Sequence, residues 1–265
     1  NMAARWHATH DQGYAIRILP YILEVAAFWE SYLSWDHRGE RLVIKNDSCH
    51  ESSGPDLNSC VSLALVRTTL QLAMELCRVL GRDTGRCERW DHILQHLRDY
   101  SMQERDGRTV FRYCEQGTAW RESNTIGIQH IYPAGQIHLD SEPELLAVAR
   151  NTIAVMGRWH DGNGSNSFFP AAVRVGYDPE TILQELRRYA KECWPNGFRA
   201  GNKHGIENWS TVPNTVNEML CMDHGGVLRP FGLWPKDRDA FFRNIRCWGA
   251  LLESGELRNG VVRYV

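Results

Sequence analysis

Apolar side chains recur at helical spacing through most of the chain and in short strand-like runs near its end. Over residues 14–34, Ile18, Ile22, Val25, Trp29 and Leu33 fall on one face, with Ile16, Leu19, Leu23 and Ala26 beside it. So broad a face predicts a helix packed on two sides. Gly39 turns the chain into a strand-like run over 41–45. A helix from about 57 to 80 is then apolar nearly all round, through Val61, Leu63, Leu65, Val66, Leu70, Leu72, Ala73, Leu76 and Val79, with Gly81 closing it. That pattern belongs to an inner helix. Residues 84–98 form its amphipathic partner, carrying Trp90, Ile93, Leu94 and Leu97 after a short turn.

From Tyr100 to Asp140 the period breaks up into an aromatic and polar connection, of a length that carries either short strands or function. Helices resume over 143–159, with Ser141 and Glu144 as a capping box, and over 179–193, with Asp178 as cap and Pro179 in the first turn. Between them, Phe168 to Val175 is apolar enough for another inner helix. A last helix runs from about 213 to 223, and beyond Gly225-Gly226 short apolar runs alternate with turns. Helical hairpins with apolar inner members predict a mainly α fold, an α/α toroid, over residues 1–225. A β-rich module follows over 226–265.

With 43% apolar residues and ten Trp, the 265-residue chain can bury a large core. A formal charge of -2 with no basic run gives no reason to expect nucleic acid as a partner. The eight cysteines lack metal-like spacing and several sit in apolar helical patterns, which predicts buried free thiols. No metal or cofactor is called for. No run of 18 apolar residues occurs, so no membrane span is expected. The helical pattern is under way by residue 2, and a preceding segment is expected.

Two stretches stand out chemically. Gly205-Ile-Glu-Asn-Trp-Ser-Thr-Val-Pro-Asn-Thr-Val-Asn-Glu-Met-Leu220 sets Glu207 in a polar loop ahead of a helix whose first turn holds Pro213. Asn46-Asp-Ser-Cys-His-Glu-Ser-Ser-Gly54 repeats the arrangement, with Glu51 in a polar loop before the long apolar helix. Either acid alone reads equally as an exposed loop carboxylate near a helix N-terminus. Two together suggest the acid and base of glycoside hydrolysis. Trp120, Trp209 and His130 suit either packing or contact with a sugar.

The segments Tyr21-Ile-Leu-Glu-Val-Ala-Ala-Phe-Trp-Glu-Ser-Tyr-Leu33, the Glu51 loop, Ile131-Tyr-Pro-Ala-Gly-Gln-Ile137 and the Glu207 stretch ending Asn217-Glu-Met-Leu220 together resemble glycoside hydrolase family 95. Val227-Leu-Arg-Pro-Phe-Gly-Leu-Trp-Pro235 extends the resemblance into the strand leading to that family's C-terminal β-domain. The resemblance implies an (α/α)6 barrel and an inverting α-L-fucosidase or α-L-galactosidase. It places Glu51 as general acid, with His50 in place of the family's Pro and Ser52 in place of its Asn. Glu207 takes the position of the family's catalytic Asp, one methylene longer. The asparagines that hold the attacking water in the family would lie upstream of residue 1, so a preceding segment is expected to complete the barrel. The resemblance alone implies a secreted or periplasmic enzyme.

The substrate-binding candidates are His50, Trp120, His130, His204 and Asn208, the last two as partners of Glu207. The expected partner is an oligo- or polysaccharide. Two other readings stay open: a polysaccharide lyase on the same toroid, using Tyr132 or His130 as base, and a carbohydrate-binding fragment without turnover.

Overall fold

The computed structural model describes residues 1–51, 53–120, 124–201 and 205–263. The chain divides into two compact units, one of residues 1–103 with 111–120, the other of 104–110 with 121–265.

The first unit opens with α1 (Met2–Thr9) and α2 (Gln12–Tyr32), the latter capped by Asp11, whose carboxylate accepts from the Tyr14 amide at 3.0 Å. Strands β1 (Ser34–Asp36) and β2 (Arg41–Val43) pair antiparallel as a hairpin. After the Glu51 loop come β3 (Leu57–Ser59), α3 (Cys60–Leu80) and α4 (Cys87–His96). The Ser59 hydroxyl caps α3 by accepting from the Ser62 amide, and Gly81 ends it in the left-handed region at φ 62°. The long connection carries β4 (Met102–Arg105), β5 (Arg108–Phe111) and β6 (Cys114–Gln116). Of these, β6 pairs antiparallel with β3.

The core of this unit is built where α2 and α4 pack on α3. It buries Trp6, Ile22, Trp29, Leu63, Val66, Leu70, Leu76 and Trp90. Two carboxylates at its edge are consumed by structure: Glu75 accepts from the Trp6 indole at 2.7 Å, and Glu30 accepts from the Trp90 indole while pairing with Arg86 and Arg89. Not all of α3 is enclosed, since Leu65 and Val79 are about half exposed. By length and composition α3 could cross a bilayer, yet 61% of its apolar window is buried inside the protein, as in a core helix.

The second unit holds α5 (Pro143–Met156), α6 (Ser165–Arg174), α7 (Pro179–Lys191) and α8 (Thr211–Leu220). Helix α6 is the inner one, buried from Phe168 through Val173, and it packs against α7 and α8. Asp178 caps α7 as expected, accepting from the Thr181 amide at 2.7 Å. The capping box expected at Ser141 does not form. Glu142 is the N-cap residue and Pro143 begins the helix, so Ser141 lies one position too early and its hydroxyl accepts from the His138 amide instead.

Strands β7 (Cys221–Met222) and β8 (Arg229–Pro230) pair after α8. The chain then forms β9 (Ala240–Cys247), β10 (Leu251–Arg258) and β11 (Val261–Arg263), an antiparallel sheet with β10 central. Its apolar side joins Phe231, Phe242, Cys247 and Leu257 to Leu220 and Cys221 at the end of α8.

Candidate active site

In the first unit the Glu51 loop leaves β2, turns, and returns to β3. An antiparallel bridge closes its neck: the Asp47 amide donates to the Asp56 carbonyl at 2.9 Å, and the Asp56 amide returns the bond at 2.7 Å. Both side chains then brace the loop. Asp47 accepts from the Ser48 and Ser59 amides and the Ser62 hydroxyl. Asp56, only 2% exposed, accepts from the Cys49 amide at 2.9 Å and the Thr118 amide at 2.7 Å. Burial works to raise the Asp56 pKa, but these backbone donors outweigh it and hold the carboxyl below its usual range.

Inside the loop, the Ser48 and Ser53 hydroxyls donate to the His50 carbonyl at 2.8 and 2.7 Å. Gly54 has φ +95°, and a Cβ there would sit 2.8 Å from the Asp47 carbonyl oxygen, so the turn requires glycine. One layer further in, Asn58 takes the Ile44 amide on its side-chain oxygen and donates to Glu115, which also pairs with Arg41 and Arg98.

The loop backbone is thus fixed at many points while the Glu51 side chain is exposed, and no hydrogen bond or ion pair holds its carboxylate among the described residues. His50 is half-buried and its Nδ1 donates to the Glu51 carbonyl at 2.9 Å. Trp120 lies two residues beyond Thr118, half-buried and tilted against Tyr113 at 5.7 Å between ring centroids. The Asp56 carboxylate therefore ties the Glu51 loop and the segment leading to Trp120 to one point.

In the second unit Glu207 lies on a 3-10 turn, Ile206–Ser210, that runs directly into α8. Its side chain is exposed and, like that of Glu51, engaged by no hydrogen bond or ion pair among the described residues. The turn is anchored by the two residues that follow Glu207. Asn208, 1% exposed, donates from Nδ2 to the Gly162 carbonyl, and the exposed Trp209 donates from its indole to the Asn196 carbonyl at 2.8 Å. The Gly162 carbonyl is itself held in place. Asp161 accepts from the Asn163 and Gly164 amides at 2.9 and 2.6 Å and pairs with Arg158 at 2.6 Å. The Oδ1 of Asn208 is buried with no donor on it among the described residues.

His130 is fully buried, so contact with a sugar would require the turn around it to open. Tyr132 accepts a hydrogen bond from Asn214, and Arg174 lies over its ring at 4.6 Å. Burial raises the Tyr132 pKa, which works against its serving as a base. Arg174 is held bidentately by Glu218 at 2.8 and 3.3 Å, a partly buried polar pair that the spacing of the sequence did not announce. His204 lies outside the described residues.

Two braced loops, each presenting an uncommitted glutamate just before a helix, are the arrangement into which comparison with known proteins brings a name. The glycosyl hydrolase family 95 catalytic domain matches residues 1–220, ending on the last residue of α8.

The chain belongs to glycoside hydrolase family 95.

No curated protein matches it. As a family 95 catalytic domain it is a glycoside hydrolase, and its substrate is a carbohydrate. The family's (α/α)6 architecture agrees with the helices and the short β-rich end seen among the described residues. The residues that brace the two loops, Asp47 and Asp56 in the first unit and Asp161 in the second, were not singled out from sequence. Their signal is weak: each is an Asp among Ser, Asn and Gly, a composition that marks turns of every kind.

Proposed function

We propose that this family 95 domain releases a terminal α-L-fucosyl or closely related residue from an oligo- or polysaccharide with inversion at the anomeric carbon. Glu51 is the general acid and Glu207 the base. The observation that carries this reading is the contrast within each loop: neighbouring residues are tied down by hydrogen bonds, while the glutamate carboxylate is exposed and uncommitted among the described residues. A group so held is oriented at little entropic cost when substrate arrives.

In the step proposed, the Glu51 carboxyl gives its proton to the glycosidic oxygen as the bond to the anomeric carbon breaks. Water attacks that carbon from the opposite face and passes a proton to Glu207, leaving the released sugar inverted. An inverting pair leaves room for this water by standing about 6.5–9.5 Å apart. Glu51 is exposed in the free protein, so a bound sugar is what would cover it. His50 and Trp120 are proposed to contact the sugar from the side of Glu51. Asn208 and His204 are proposed to support Glu207, and His130 to meet the sugar where the turn around it opens.

The test is to screen the intact protein against aryl α-L-fucosides, aryl α-L-galactosides and natural fucosylated oligosaccharides, with NMR reading the first anomer released. Release of the β-anomer from an α-glycoside supports the reading. Release of the α-anomer overturns inversion. An unsaturated product absorbing in the ultraviolet overturns hydrolysis in favour of a lyase, and binding without turnover that Glu51→Gln leaves unchanged overturns catalysis altogether.

A further inference from the structure

Outside the candidate site, the exposed side of α4 carries His92 and His96 one helical turn apart, a spacing that puts both side chains on one face. Their ring centroids are 4.1 Å apart with the planes tilted by 39°. The Nδ1 of His96 stands 2.9 Å from the His92 carbonyl oxygen. A carbonyl only accepts, so Nδ1 carries a proton, and in the neutral ring Nε2 has the lone pair. This is the tautomer and bracing that metal-bound imidazoles use, with the far nitrogen tied to a backbone carbonyl and the near one free to ligate. His92 is exposed, and no hydrogen bond or ion pair engages its ring among the described residues. Trp35 of β1 covers the other side of His96 at 5.6 Å between centroids, which limits where that ring can turn.

We infer that His92 and His96 form a two-nitrogen site for a divalent transition ion that favours imidazole, Cu²⁺ ahead of Ni²⁺ and Zn²⁺. Adjacent ligand positions on a metal with bonds of 2.0–2.1 Å are about 3 Å apart, a separation that two rings at 4.1 Å reach by small rotations. No group of three or more His, Cys, Asp or Glu side chains converges among the described residues. The ion therefore takes only two protein ligands and completes its shell with water. With so few protein ligands, affinity follows the intrinsic order of the metals and Cu²⁺ stands first. The site joins the last two turns of α4, just before the chain at Leu97 bridges to Leu42 and the Arg98 amide donates to the Leu42 carbonyl at 3.1 Å. A bound ion thus clamps the last two turns of α4 together, next to the point where the chain meets the β1–β2 hairpin.

The test uses the full chain, treated with chelator and then titrated with CuCl₂ at about pH 7.5, where an imidazole is mostly neutral. Calorimetry and quenching of tryptophan fluorescence read the binding, since Trp35 stands beside the site. The expected result is one equivalent bound, with His92→Gln and His96→Gln each weakening it at least tenfold, His37→Gln, at an exposed histidine in the turn between β1 and β2, leaving it unchanged, and NiCl₂ binding less tightly. Cu²⁺ at a hundredfold excess over Kd should raise the unfolding midpoint by roughly 5–10 °C in the parent and not in the two variants. Far-UV circular dichroism checks that the variants remain folded. Equal binding by the parent and both variants would mean adventitious surface histidines only and would overturn the inference. So would the absence of saturable binding in the parent.

Discussion

Asp56 and Thr118 are 62 residues apart, yet the Thr118 amide donates to the Asp56 carboxylate at 2.7 Å. The same carboxylate takes the Cys49 amide from inside the Glu51 loop. One buried anion is therefore the common anchor of the acid loop and of the segment that leads to Trp120. The geometry of the candidate acid depends on a residue that never approaches a sugar.

Replacing Asp56 should show this. Asp56→Ala leaves two backbone N–H groups without an acceptor in a largely dry position and should cost about 2–4 kcal/mol of stability. The folded-state pKa of Asp56 lies below the ordinary carboxylate value. Its contribution is therefore complete above about pH 4 and is lost as the pH falls through the lowered folded value. Denaturant titrations at a series of pH values should give the parent an acid-side loss of stability that is reduced in Asp56→Asn. An unchanged pH profile in that variant would show that the carboxylate charge is not what holds the loop.

The two glutamates should separate by leaving group. Both are exposed, so Glu51→Gln and Glu207→Gln should change stability by less than about 0.5 kcal/mol while lowering kcat by roughly 10²–10⁴-fold on a natural glycoside. An aryl glycoside with an acidic phenol needs little protonation as it leaves. On that substrate Glu51→Gln should recover most of its loss, and Glu207→Gln should recover none. Equal recovery in both variants would contradict the assignment of acid and base.

The elements legible from sequence are those whose cause is local. Helix α7 announces itself through Asp178, Pro179 and the apolar period that follows, and α3 through an unbroken apolar run closed by Gly81, because cap and period lie within the helix itself. Ser141 shows how thin such a signal can be. The residue is of capping type, yet Pro143 sets the start of α5 and leaves Ser141 outside it. The short strands between residues 100 and 120 were not legible one by one, since β6 is held by pairing with β3 across more than fifty residues and not by anything in its own three.

The site follows the same division. That Glu51 and Glu207 lie in polar loops before helices could be read from their neighbours. What fixes those loops could not: Asp56 works through Thr118, and Asn208 through Gly162, and each partner is distant in the chain.

The thiols offer a check on the packing. All eight cysteines are free and seven are buried, with Cys193 partly exposed. Burial pushes Cys77 up to about 11 and Cys114 up to about 12, and raises Cys60 and Cys221 further. Since the thiolate is the reactive form, a disulfide reagent at neutral pH should modify no more than one thiol quickly in the native protein, at Cys193, and all eight after denaturation. Rapid native modification of several would mean that the cores around α3 and β9 open far more readily than their packing implies.

Asn208 gives the last prediction, because it separates positioning from contact. Its Nδ2 ties the turn that carries Glu207 to the Gly162 carbonyl, and at 1% exposure it cannot touch a sugar in the free protein. Asn208→Ala should therefore loosen the angle of Glu207 without removing a group that binds substrate. On the proposed mechanism kcat falls by about 10-fold to 100-fold while KM changes little, since a misplaced base weakens the transition state more than the bound ground state. Asn208→Asp keeps the shape but turns the donor into an acceptor facing the Gly162 carbonyl, and should lower kcat at least as far. Steady-state kinetics on one substrate with all three proteins decides the point. A rise in KM with kcat preserved would make Asn208 a direct ligand of the sugar, reached by a movement of the turn.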